Sequence, residues 1–181
     1  MIWLILGVLL WSGAHLFKRL APDLRASWGE KAKGPIALAV LLSLVLMVVG
    51  YRMADGAVFW GRTPMLAGIN NLLMLLSIYL FAASGMKTRI TAKIRHPQLA
   101  GVKAWALGHL LVNGDVPSFI LFGGMLIWAV FSVIQINNME PEWKKPTEFS
   151  TGKEIGAAVG TVLVFGAIAM IHTWLGYNPF G

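Results

Sequence analysis

Six long apolar runs leave this chain few ways to fold: Ile2 to Phe17, Pro35 to Tyr51, Pro64 to Ser84, Leu99 to Val112, Pro117 to Ile136 and Ile155 to Trp174. In water they would expose apolar patches far larger than soluble proteins carry. In a bilayer, each run can close its own backbone hydrogen bonds as a helix. Only 13% of the residues are charged and 57% are hydrophobic, against roughly one quarter charged in soluble domains. The expected fold class is therefore all-α: a polytopic transmembrane helical bundle of about six membrane helices, forming a single domain over residues 1–181 with the lipid bilayer as its partner. The fourth run is the exception in length. It has about 14 residues, roughly 21 Å of helix, so it must start deeper, extend through Ile94, or be re-entrant.

Loop charge tests this layout independently, because short cytoplasmic loops are enriched in Lys and Arg. The first loop carries Lys18, Arg19, Arg25, Lys31 and Lys33, while the second carries only Arg52 and Arg62. The third carries Lys87, Arg89, Lys93 and Arg95, with Lys103 just beyond; the fourth, around Asn113 to Val116, has none. The fifth carries Lys144, Lys145 and Lys153, and the tail after Trp174 has none. This alternation predicts six crossings with both termini outside. The first run lacks the basic leader of a cleaved signal, since Lys18 and Arg19 follow it, and it is expected to remain as the first membrane helix. The formal net charge of +7 belongs to these loops, and no soluble basic domain exists to bind nucleic acid.

The chain has no cysteine, which excludes disulfides, iron–sulfur clusters, thiolate metal sites and covalent c-type haem attachment. Any metal site must use His, carboxylates or Met. Ionisable residues inside a membrane span are costly, so His15, His109 and His172 are functional candidates, with interhelical hydrogen bonding as their structural alternative. A zinc site would need all three histidines and a water, whereas haem iron needs only one or two. The segments Trp11-Ser12-Gly13-Ala14-His15-Leu16 and Trp105-Ala106-Leu107-Gly108-His109-Leu110 are similar: each sets a Trp one turn before a His on the same helix face. Small residues between them let a flat macrocycle or a neighbouring helix approach. The two helices should run in opposite directions, as in an inverted repeat. Depth separates them, since His15 lies near the cytoplasmic end of its helix and His109 about 10 Å deeper. His172 should sit near the outer face.

Asn70, Asn71, Asn113 and Asp115 supply further polar groups, of the kind that usually link helices. Gly156 and Gly160 form a GxxxG spacing that suits either a homodimer or packing inside the bundle. Gly152-Lys153 is not a phosphate loop, because Thr147 occupies the first glycine position and Glu154 replaces the Ser or Thr.

The segment Leu10-Trp11-Ser12-Gly13-Ala14-His15-Leu16 resembles the NnrU membrane family, as does the run Arg95-His96-Pro97 through Gly101, Trp105, His109-Leu110-Leu111 and Asn113-Gly114-Asp115. The resemblance covers essentially the whole chain. It implies the bacterial inner membrane and an association with denitrification and nitric oxide metabolism. The family is in turn similar to the plant zeta-carotene isomerase, an integral membrane enzyme that uses b-type haem to isomerise a polyene double bond. That likeness implies haem b between the first and fourth helices, with His15 and His109 as axial metal ligands and Trp11 and Trp105 beside the cofactor. A hydrophobic small-molecule substrate, a lipid or carotenoid, would then enter laterally. Arg95-His96-Pro97 followed by Gly101 is also similar to a motif of isoprenylcysteine-type membrane methyltransferases, which implies S-adenosylmethionine held near Arg95 and His96. The structural alternative makes Arg95 a topology anchor, His96 an interfacial residue and Pro97 a helix start. A third alternative is a non-catalytic assembly or sensing partner.

Overall fold

The computed structural model describes residues 1–180. It is an all-α bundle in which the apolar runs become α1 (Ile2–Leu20), α3 (Lys33–Arg52), α4 (Pro64–Met86), α5 (Pro97–Val112), α6 (Val116–Met139) and α7 (Thr151–Trp174); a short surface helix, α2 (Pro22–Ser27), follows α1. Helix starts follow local chemistry. Thr63 caps α4, its hydroxyl accepting from the Leu66 N–H at 3.2 Å, and Pro64 takes the first helical position, where no N–H is needed. Asp115 caps α6 in the same way, accepting from the Ser118 N–H at 2.8 Å. Within α6, a wider π turn runs over Phe119–Gly123.

Five of these helices are long and apolar enough to cross a membrane. The sixth, α5, has 16 residues, about 24 Å at the helical rise and short of a hydrocarbon core of about 30 Å. Helix directions show what α5 does. Gly101 lies against Ser77 and Phe81, whereas Gly108 lies against Asn70 and Met74, so α4 and α5 are antiparallel. Trp105 packs on Phe122 and His96 bonds to Asn137, so α5 is also antiparallel to α6. The chain thus runs along α5 from one end of the bundle to the other and does not double back.

The other contacts agree. Leu4 meets Gly50, and Gly7 meets Met47 and Ser43, so α1 and α3 are antiparallel; Gly124 meets Val8, and Trp128 meets Trp11, so α1 and α6 are parallel. The buried core, Leu4, Val8, Leu16, Met47, Met125, Trp128 and Ala129, forms where α1, α3 and α6 join. α7 packs on α4, and Gly156 lies beside Met86 while Gly160 faces open space, so the GxxxG pair is only half engaged within the chain.

Connections gather at two ends. At one, β1 (Val58–Trp60) pairs antiparallel with β2 (Gly114–Asp115), and the Val116 N–H donates to the Ala57 carbonyl at 3.1 Å. The tail reaches the same end, where Arg62 donates to the Asn178 carbonyl and Asn71 to that of Pro179 at 3.1 Å. At the other end, Arg19 pairs with Glu140 at 3.3 Å, the Arg89 N–H donates to Glu154 at 2.7 Å, and Arg95 donates to the carbonyls of Glu140, Pro141 and Glu142. Every Lys and Arg except Arg52 and Arg62 belongs to this second, basic end. The loops therefore group as their charges predicted. Leu38, Leu41, Val45 and Val48 on α3, and Val162, Leu163 and Met170 on α7, remain exposed, as side chains facing lipid would.

Candidate functional site

Both His–Trp segments fold as regular helix, and the i, i+4 spacing brings each ring over the turn before it. His15 Nδ1 donates to the Trp11 carbonyl at 2.9 Å, and His109 Nδ1 donates to the Trp105 carbonyl at 3.0 Å. A carbonyl can only accept, so Nδ1 carries the proton and Nε2 of the neutral ring is left with a free lone pair. Such a bond fixes the tautomer and the orientation of the ring, which prepares an imidazole to ligate a metal. His172 makes the same bond, to the Ile168 carbonyl at 2.8 Å. The tether alone does not distinguish the three.

Their surroundings do. The His15 ring stacks on Trp11 at 4.1 Å between centroids and meets Trp128 edge-on at 5.2 Å; the two indoles are 5.5 Å apart. His109 stacks on Phe122 at 4.6 Å, with Trp105 5.2 Å away, and Trp105 itself meets Phe122 at 5.0 Å. Each His–Trp pair thus closes on an aromatic ring of α6. The sequence reading missed Trp128 and Phe122, since α6 is apolar all round and its periodicity marks no special face. The two α6 residues are six positions apart, about 9 Å of rise, so the depth offset expected between His15 and His109 is reproduced. Burial differs too: His109 is half-buried, whereas His15 is exposed at the side of the bundle. Position inside a bilayer is not burial inside the protein.

Two observations bear on whether a cofactor fits here. Each neutral imidazole with its free Nε2 is a suitable donor for b-type haem iron, and the offset of about 9 Å between the two sites must close for both to meet one iron. The indole N–H groups of Trp11 and Trp128, both beside His15, are buried without an acceptor, although buried donors are nearly always paired. An acceptor brought by a ligand would satisfy them. The three-histidine zinc site has no support: among the described residues no group of three or more His, Asp or Glu side chains is placed to hold a metal ion.

The remaining polar candidates have structural partners. Asn113 donates to the His109 carbonyl at 2.9 Å, Asp115 caps α6, and Asn71 ties down the tail. Asn70 is buried with its Oδ1 unpaired, close to Gly108. His96 Nε2 lies 2.8 Å from Asn137 Oδ1. It lines, with Ile94, Arg95, Ala100, Lys103, Val133 and Asn137, a hollow of about 220 Å³ between α5 and α6 at the basic end. A larger, open groove of about 560 Å³ lies along α7 between Gly166 and Trp174, with Phe180 also lining it.

Neither any curated protein nor any solved structure matches the chain. The family model for NnrU protein matches residues 3–179. Nearly the whole of this multi-pass bundle is covered, and the chain belongs to the NnrU family.

Proposed function

We propose that this NnrU-family membrane protein binds b-type haem within the helix bundle through His15 and His109, and serves nitrogen-oxide metabolism in the bacterial inner membrane with both termini periplasmic. The observation that carries the cofactor assignment is the pair of Nδ1 tethers, each leaving Nε2 free beside a Trp of its own helix and an aromatic ring of α6. His172 shares the tether, but among the described residues no aromatic ring packs on it, and His96 has its Nε2 engaged by Asn137. Trp11 and Trp128 would donate their unpaired N–H groups to acceptors on the cofactor's edge. When bound, the haem would supply redox or Lewis-acid chemistry, and the chain sets its ligation and polarity.

A lipid-like or polyene substrate is the corresponding proposal for activity; it would enter along the exposed flank of α1 beside His15. A homodimer, if formed, would use the uncovered Gly160 side of α7. Methyl transfer from S-adenosylmethionine has less support. Arg95 donates to three backbone carbonyls, and the hollow beside it, about 220 Å³, is below the usual 300–1,000 Å³ of small-molecule sites. The visible spectrum of the detergent-purified chain tests the haem reading. A Soret band that survives purification supports it; an apo protein that haem cannot reconstitute overturns it.

A further inference from the structure

The hollow at the basic end carries an inference separate from the haem reading. Lys103 lies six residues beyond Pro97, about 9 Å along α5, and is half-buried. The ion pairs among the described residues are Arg19–Glu140 and Lys33–Glu30, so Lys103 has no acidic partner. An ammonium at this depth is costly unless it reaches an anion or the interface.

The rest of the hollow adds positive charge without neutralising it. Arg95 is held in place by three hydrogen bonds to the carbonyls of residues 140–142, which bring no charge, and the carboxylate of Glu140 is turned to Arg19. None of the lining side chains is acidic, His96 and Asn137 form a polar wall, and Ile94, Ala100 and Val133 are apolar. A volume of about 220 Å³ suits a small anionic group and is too small for a nucleoside cofactor. We propose that this hollow between α5 and α6 binds the phosphate of an anionic membrane lipid, with Lys103 as its principal cation. The apolar wall and the membrane position of Lys103 favour a lipid phosphate over free phosphate, in keeping with basic pockets between membrane helices.

Native mass spectrometry of the detergent-purified full chain tests this, using phosphatidylglycerol and phosphatidylcholine with identical acyl chains. Phosphatidylglycerol should bind about fivefold or more tightly than phosphatidylcholine, as one well-placed cation provides. Lys103→Gln should remove most of that preference and Lys103→Arg should keep it. Val133→Phe, which fills the hollow without changing charge, should also remove it and covers the case in which Lys103→Gln folds poorly. Equal binding of the two lipids overturns the proposal, as does a preference that survives both Lys103→Gln and Val133→Phe. Displacement of the lipid by equimolar inorganic phosphate or S-adenosylmethionine overturns it in favour of a soluble anion. Haem content should be unchanged in all three variants, so failure here is distinguishable from failure of the haem assignment.

Discussion

Replacing Gly50 with alanine probes the contact that sets α1, and with it His15, in place. A Cβ at this position would stand 2.3 Å from the Leu4 nitrogen, 2.7 Å from Leu4 Cα and 2.8 Å from the Trp3 carbonyl carbon. All three are backbone atoms, so no side chain can swing aside and α1 itself must retreat. Leu4 is fully buried in the core, and overpacking of this kind costs about 1–3 kcal/mol, occasionally more. Helix propensity works the other way, favouring Ala over Gly by about 1 kcal/mol. The fair reference is therefore Gly68→Ala on α4, where nothing lies within 4 Å. Both variants gain the same propensity, so their difference isolates the steric cost: about 3 kcal/mol, the upper part of the range, because the clash is with backbone. Thermal unfolding in detergent, followed by tryptophan emission, should place Gly50→Ala several degrees below Gly68→Ala. The emission should also change as Trp11 moves relative to Trp128. Equal melting points would refute the tight α1–α3 crossing.

Three further outcomes follow from other contacts. Tyr51→Phe removes the 2.8 Å hydrogen bond between the Tyr51 hydroxyl and Ser118 Oγ and should cost about 1 kcal/mol in the same assay; no change would mean that Ser118 is satisfied elsewhere. Arg95→Ala should release the 140–142 segment and speed proteolytic nicking between α6 and α7 several-fold without altering haem content, and unchanged nicking would show that this loop is held by other contacts. Reporter fusions should place both termini in the periplasm and the Arg25, Arg95 and Lys144 loops in the cytoplasm. A terminal reporter active only in the cytoplasm would refute the orientation.

The membrane architecture was legible because apolar runs and loop charge are strong, independent signals. The helix directions at Gly101, Gly108 and Gly50 reproduce the alternation that the lysines and arginines marked out. The short fourth run begins two residues earlier than expected, at Pro97, and traverses the bundle despite its length. What was not legible is mostly tertiary. The pairing of Val58 and Trp60 with Asp115 and Gly114 is too short to leave a two-residue period in the sequence. The π turn before Gly124 has no pattern of its own. The Trp11–His15 and Trp105–His109 pairs were readable from spacing, but their closing on Trp128 and Phe122 was not, since only packing selects those two rings from a uniformly apolar helix. The carbonyls that hold Arg95 were equally hidden, because a backbone acceptor has no residue type.

The central claim is that His15 and His109 ligate haem, and the most direct test compares the four single His→Ala variants for haem content and Soret position, each checked for normal membrane insertion. Loss of an axial imidazole weakens ligation or changes the iron's spin state. His15→Ala and His109→Ala should therefore each lose haem or shift the Soret band. His96→Ala, whose ring is tied to Asn137, and His172→Ala, which lacks the aromatic surround, should remain native in spectrum. If His96→Ala or His172→Ala alone abolishes haem binding while the His15 and His109 variants keep a native spectrum, the assignment is contradicted.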